Sequence, residues 1–332
     1  MRALVFTGPE KAEVQDVPEP VAAEGQVVVE VGRAGVCGTD VELFTGEMSY
    51  LHTGQASYPL RPGHEWSGTV IATGPGVDPS WHGRRVTGDT MIGCGDCRRC
   101  LAGRHHICAS QRELGIQDGL PGALAEQVTV PVRQLLPLPY AVDDELGALV
   151  EPGGNALRCV EAALLSPGER LLVIGTGAIG RLVAMFARAR GAEVHLLGEA
   201  PRPDLPHAWT RDTLPDLPWD AVVDASNGPG MPALAVDLVE PGRRVVYIGL
   251  SGTPSHMDTR TMVLKDVTTV GILGASAGLA GTIDAYAQGL VDPRPLIGAT
   301  ISLEEVADVF RGHRPSSVGP GPKILVDPHR TI

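Results

Sequence analysis

Lysine is almost missing from this chain. Of twenty-seven basic residues in 332, only Lys11, Lys265 and Lys323 are lysines, and the formal net charge is −12. A surface so poor in positive charge argues against a nucleic acid or an anionic membrane as partner. It suits a neutral or cationic small molecule. No stretch approaches the eighteen or so uninterrupted apolar residues that a membrane span needs. The opening MRALVFTGPE runs straight into strand-like sequence, without a signal peptide's apolar core and cleavage site, so a cytoplasmic location is expected. Internal repeats and low-complexity linkers are also missing, which leaves an ordinary globular chain long enough for two domains.

The texture changes along the chain. Up to about residue 135, short β-branched runs (QVVVEVGRAGV, SGTVIATG, EQVTVP) alternate with Gly/Pro punctuation, as in a partly open all-β domain. From Leu171, strand and helix patterns alternate: LLVIG, AIGRLVAMFARARG, EVHLLGE, DAVVDAS, RRVVYIGL. That alternation predicts a parallel sheet with helices on both faces. The tail is mixed, with ISLEEVADVFRG helical and KILVDP a strand. Between Ala200 and Pro218 five prolines stand where a doubly wound fold places a crossover helix, so that helix is expected to be short or absent.

Cysteines are few but clustered. Cys94, Cys97, Cys100 and Cys108 have the spacing of an all-thiolate tetrahedral zinc site. Four thiolates leave the metal no open position, so such a zinc is structural and its binding energy acts as folding energy for its lobe. An iron–sulfur cluster also takes four cysteines, but nothing else in the chain suggests electron transfer. His105 and His106, inside the loop, are expected at the surface. Chemistry must therefore come from elsewhere.

Two residue types suited to a catalytic zinc remain: Cys37 in GVCGTD and His64 in PGHEWSG. Alone, each reads as a buried small hydrophobe or a turn histidine. A catalytic zinc needs three protein ligands and one open position. Glu151, at the end of an apolar run in LVEPGGNAL, is the favoured third ligand, and Glu65 competes for the role. The cofactor signal is Gly175-x-Gly177-x-x-Gly180, directly after an apolar strand and opening a helix, with Ala178 and Ile179 between the second and third glycines. In that context the glycines permit a tight turn, close approach to a pyrophosphate and close helix–strand packing, with phosphate at the helix N-terminus. Glu199, ending the second strand, would bind the ribose hydroxyls and favour NAD over NADP; Arg202 nearby pulls the other way.

With GVCGTD, PGHEWSG, the Cys94–Cys108 lobe, VEPGGNAL and GTGAIG in order, the chain resembles the zinc-dependent medium-chain dehydrogenase/reductase family over nearly its whole length. The resemblance implies an α/β protein: a GroES-like, mostly-β catalytic domain (1–150 with 277–332, structural zinc lobe 93–109) and a Rossmann cofactor domain (151–276) with a doubly wound parallel sheet. It implies two zinc ions per chain, a nicotinamide dinucleotide (NAD preferred, NADP possible), a homodimer or homotetramer, and Cys37, His64 and Glu151 as catalytic zinc ligands. Thr39 falls at the hydroxyl position of the family's proton relay; the histidine many members carry three residues later is Glu42 here. The ethanol-type branch has cysteine where Glu151 stands, so the implied substrate is a polyol, sugar or aminocyclitol secondary alcohol. L-Threonine is the alternative, and a non-redox zinc lyase or isomerase a further one. Tyr50, His52 and Trp66 are candidate pocket residues.

Overall fold

The structure, a computed structural model, describes residues 1–313 and 318–331; positions 314–317 and 332 of the tail assigned to the first domain lie outside them. The chain divides into two compact units, Met1–Glu151 with Ile283–Ile332, and Pro152–Thr282.

The first unit begins with the hairpin β1 (Arg2–Gly8) and β2 (Lys11–Asp16), followed by β3 (Gln26–Gly35), α1 (Gly38–Thr45), α2 (Ser49–Thr53), β4 (Glu65–Thr73) and β5 (Arg85–Gly88). A small lobe follows, made of β6 (Met91–Ile92), α3 (Arg98–Leu101) and β7 (Arg112–Glu113). Then come β8 (Gln127–Pro131), β9 (Leu135–Pro137) and α4 (Asp144–Ala148). α5 (Val150–Ala163) carries the chain into the second unit.

That unit contains β10 (Arg170–Ile174), α6 (Ala178–Ala189), β11 (Glu193–Leu197), β12 (Ala208–Trp209), β13 (Trp219–Asp224), α7 (Met231–Leu238), β14 (Val239–Tyr247), α8 (Thr259–Leu264) and β15 (Thr268–Gly271). After α9 (Leu279–Ala287), the tail supplies β16 (Ile297–Ile301), α10 (Leu303–Phe310) and β17 (Lys323–Val326) to the first unit.

In the first unit the main sheet runs β16-β17-β3-β4-β5-β9, with β8 also paired to β3. Alternation in β3 puts Val27, Val29 and Val31 into the core, where they meet Leu4, Phe6, Trp66 and Val128. Three phenylalanines from distant parts of the chain close this core: Phe44 of α1 lies 5.7 Å from Phe6 and 5.3 Å from Phe310 of α10, ring centre to ring centre. Their contact fixes α1 against the sheet. β3 and β4 pair antiparallel with Gly35 opposite Glu65. The end of one strand, next to Cys37, is therefore held beside the start of the other, next to His64. β17 pairs with β3 at the same end, Leu325 opposite Gly35.

The second unit is a wholly parallel sheet in the order β12-β11-β10-β13-β14-β15. The order reverses between β10 and β13, the topological switch point where open α/β sheets bind ligands. From 198 to 218 there is no helix among the described residues, only the two-residue β12. Proline removes a backbone donor and clashes with the preceding turn, so this proline-rich crossover stays irregular. Leu172, Leu197, Trp219, Val222 and Val236 form the core beneath it. No helix among the described residues is long and apolar enough to cross a membrane.

Candidate active site

Cys37 is the N-cap of α1 and sits in extended backbone, φ −109° and ψ 160°. Its N–H donates to Asp40 Oδ2 at 2.9 Å, closing a capping box. The other oxygen of Asp40 accepts the Gly63 N–H at 3.3 Å and faces His64 Nδ1 at 3.5 Å. Asp40 is wholly buried, and this one carboxylate ties together the two turns that carry Cys37 and His64. Thr90 holds the second turn, its hydroxyl donating to the His64 carbonyl at 3.0 Å. A Cβ on Gly35 would collide with the Glu65 carboxylate, so glycine there makes room for that side chain.

The donor atoms of Cys37, His64 and Glu65 lie within 4.8 Å of one another. Burial works against a charge on His64, but Asp40 and Cys37 outweigh it and hold the imidazole well above its ordinary value. A field that favours a cation on the ring also favours a metal cation beside it, so the donor set and its charge both fit a zinc ion. Glu65 is further held by Lys323 of β17, whose ammonium lies 2.5 Å from the carboxylate and donates to the Val36 carbonyl at 2.9 Å. Burial would lower Lys323, yet Glu65, Cys37 and Glu151 together keep it raised. Glu151, the favoured third ligand by sequence, is buried in the first turn of α5, near enough to act on Lys323 but not within the three-donor group. Of the two competing carboxylates, the structure brings Glu65 to Cys37 and His64. Thr39 Oγ1 is 4.0 Å from Cys37 Sγ, and Glu42 is exposed one turn further along α1.

In the lobe the sulfur–sulfur distances are 3.5 Å for Cys94–Cys108, 3.7 Å for Cys97–Cys108 and 3.9 Å for Cys94–Cys100. A tetrahedron with Zn–S bonds of about 2.3 Å has edges of ~3.8 Å, so the four sulfurs are already spaced for zinc. Backbone N–H groups of Cys100 and Ser110 point at Cys97 Sγ and Cys108 Sγ, as thiolates require. The two histidines are not surface groups, contrary to expectation. His106 is buried, and His105 is partly buried with Nε2 2.6 Å from Asp89 Oδ2, because the loop folds back onto the end of β5. The pocket candidates also sort differently. Trp66 is core, the Tyr50 hydroxyl donates to Glu113 at 3.1 Å, and His52 is exposed.

The glycine motif joins β10 to α6. Gly175 has φ +115°, a conformation side chains disfavour. A Cβ on Gly180 would strike the Gly175 carbonyl, whereas one on Gly177, the N-cap of α6, would meet nothing within 4 Å. Packing therefore needs the third glycine, and the second faces open space. Together with the free N–H groups of Ala178 and Ile179 in the first turn, this cradle fits a dinucleotide pyrophosphate. Glu199 does not end the second strand as expected: β11 stops at Leu197, and Glu199 is exposed two residues later. Arg202 is engaged with Asp204, at 2.9 Å from Nε and 2.7 Å from Nη2.

Comparison with known proteins agrees with this geometry. The alcohol dehydrogenase GroES-like domain family matches residues 23–140. L-Threonine 3-dehydrogenase of Saccharopolyspora erythraea is 33% identical over 295 residues, covering 82% of this chain and 84% of that protein. The chain belongs to the zinc-type medium-chain alcohol dehydrogenase family. A Sinorhizobium meliloti protein assigned as a zinc-binding dehydrogenase, solved with NADP, is 26% identical with a TM-score of 0.85, covering 98% of this chain and 99% of that one. An Escherichia coli alcohol dehydrogenase solved with NADH shares the fold at 24% identity and TM-score 0.87, with 98% and 99% covered.

In this medium-chain dehydrogenase three residues around the candidate sites escaped the sequence reading. Asp40 reads as an unremarked turn acid, although the i, i+3 relation to Cys37 is a capping-box signal. Lys323 gives no local signal, because its partner lies 258 residues away. Arg181 directly follows the third glycine and interrupts an otherwise apolar helix face.

Proposed function

We propose that this protein oxidises a secondary alcohol to a ketone, passing hydride to a nicotinamide dinucleotide. The observation that carries the reading is the convergence of Cys37, His64 and Glu65 in a cation-favouring field. The open cradle at Gly177 supports it. Residues 1–150 with 277–332 would form the catalytic domain and 151–276 the cofactor domain. Each chain would hold two zinc ions, one at Cys94, Cys97, Cys100 and Cys108, the other at Cys37 and His64 with Glu65 or Glu151. The catalytic zinc supplies Lewis acidity toward the substrate oxygen, and the dinucleotide supplies the hydride acceptor. The remaining work belongs to the chain: Asp40 orients the His64 ring, Lys323 holds Glu65 in place, and Thr39 takes the hydroxyl proton toward solvent.

NAD is the preferred cofactor on account of Glu199, with NADP as the second. Thiolate ligands suit a reducing compartment, the cytoplasm. A homodimer or homotetramer would cover β15, an edge strand with partly exposed residues, and the exposed Leu250, Val263 and Leu264 near it in sequence. The substrate is a polyol, sugar or aminocyclitol; L-threonine is the second reading, favoured by the 33% identical relative. The test is nicotinamide absorbance at 340 nm with NAD and NADP against polyols, aldoses, aminocyclitols and threonine, on zinc-loaded protein. Reduction with any of them establishes the reaction. Dinucleotide binding without reduction across the panel would favour a non-redox lyase or isomerase instead.

A further inference from the structure

The stretch from Glu113 to Gln117 lies against the turn that carries His64. β7 pairs with β6, Met91 opposite Glu113, and the Leu114 N–H donates to the Thr90 carbonyl at 3.0 Å. A Cβ on Gly115 would strike the Gly63 carbonyl. Glu113 is only 5% exposed, yet among the described residues it has no cationic partner. Its Oε1 accepts the Tyr50 hydroxyl and the Gln111 Nε2, both at 3.1 Å and both neutral donors, while Oε2 accepts no hydrogen bond among the described residues. Burial and the Glu113 charge push Tyr50 up to about 12, so the phenol stays a neutral donor. Other buried acids around the turn are matched: Asp40 faces His64, Glu65 holds Lys323 and Asp89 meets His105. Two more polar atoms here are buried without a partner, the acceptor Gln111 Oε1 and the donor Gln117 Nε2. Gln117 is 2% exposed and stands one turn on from Glu113, its N–H bonded to the Glu113 carbonyl at 3.0 Å. Buried polar groups are nearly always satisfied, and a buried charge is costly unless paired, so this cluster asks for a ligand.

What the cluster lacks is a cation that also donates hydrogen bonds. An ammonium group has several donors and no acceptor, so it can serve Glu113 Oε2 and Gln111 Oε1 together and neutralise the buried charge. A hydroxyl has one donor and no charge. Gln117 Nε2 would take an oxygen of the same molecule. We propose that Glu113, with Gln111 and Gln117, reads a protonated amine on the substrate, so that the natural substrate is an amino alcohol and not a plain polyol or aldose. The proposal rests on the dehydrogenase reading above and narrows it: aminocyclitols and threonine carry such an amine, and the other candidates do not. The chain's net charge of −12 draws a cation the same way.

The test compares amines with their hydroxyl twins. Titration calorimetry on zinc-loaded protein saturated with NADH, where an alcohol cannot be oxidised, pairs 2-aminocyclohexanol with cyclohexane-1,2-diol and L-threonine with 2,3-dihydroxybutanoate. In at least one pair the wild type binds the amine about tenfold or more tighter, because the twin leaves the buried groups unpaired. Glu113→Gln keeps the shape and removes that preference by weakening the amine alone, and Gln117→Leu weakens both twins alike; circular dichroism and melting check that both variants fold. The wild-type preference also fades as pH rises through the amine's own ionisation, a check that needs no variant. Twins bound equally by the wild type, a Glu113→Gln loss that falls on both alike, or no binding of any of the four overturns the proposal. Turnover separates this from the parent reading. NAD or NADP reduced by the hydroxyl twins alone keeps the dehydrogenase and sinks the amine reader, whereas amine-selective binding without reduction keeps the reader and sinks the dehydrogenase.

Discussion

Replacing Lys323 with methionine keeps most of the side-chain volume and removes the ammonium. In the wild type the pair is nearly sealed, with Lys323 4% and Glu65 1% exposed, so water cannot take the place of the lost partner. Breaking a buried ion pair by deleting one member costs about 3–5 kcal/mol, because the other charge is left buried alone. At roughly 2–4 °C per kcal/mol for a body of this size, the melting temperature should fall by about 6–20 °C. Calorimetric melts at fixed excess zinc hold the free metal concentration constant. The double variant Lys323→Met/Glu65→Gln should recover a large part of the loss, since no unpaired charge remains.

The pH dependence has a definite sign. Lys323 is raised above its ordinary 10.5 in the folded protein, so its stabilisation is fully present below that value and disappears as pH rises through the raised one. The gap between wild type and variant should be constant from pH 6 to 9, in ~0.1 M salt, and close only in strong alkali. A single variant melting within about 2 °C of wild type at neutral pH, or strict additivity in the double variant, would refute the reasoning.

Other consequences are as specific. Cys37→Ser or His64→Ala should cut turnover at least ~100-fold while the protein stays folded with one zinc by elemental analysis; Cys97→Ser should instead lose the lobe's zinc and lower stability. Undiminished activity of the first pair would remove them as ligands. Gly180→Ala should cost about 1–3 kcal/mol and weaken dinucleotide binding, because the new methyl meets the Gly175 carbonyl; calorimetric binding equal to wild type would contradict the packing. Burial pushes the Cys159 thiol up to about 12, so at pH 9 it stays protonated and should resist iodoacetamide until the protein unfolds. Rapid native labelling at Cys159, read by mass spectrometry, would be inconsistent with this burial.

What could be read from the sequence was what lies close along it. The four-cysteine spacing, the glycine motif and the helix-breaking prolines each act within some twenty residues, and the structure shows sulfurs at zinc spacing, a strand–turn–helix and a helix-free crossover. What escaped depends on strand register. Nothing near Glu65 announces Lys323; the two meet because β17 pairs with β3 and β3 with β4. Trp66 looked like a pocket aromatic, but the pleat of β4 turns it into the core. His106 looked exposed because four cysteines suffice as ligands, an argument silent on how the loop packs. Glu199 was displaced by two residues because an apolar run does not mark where ladder pairing stops.

The return of the tail to the first sheet has a consequence for synthesis. A ribosome releases Cys37, His64 and Glu65 early, but Lys323 emerges 172 residues after Glu151, roughly 10–30 s later at 5–20 residues per second. During that interval the nascent first unit carries Glu65 without its buried counter-charge and with β3 lacking its β17 neighbour. The parallel-sheet unit, continuous in the chain, can finish first. The half that carries Cys37, His64 and Glu65 therefore matures last, and a chain that stalls before Lys323 would present that cluster without its neighbouring strand to the cell's proteases.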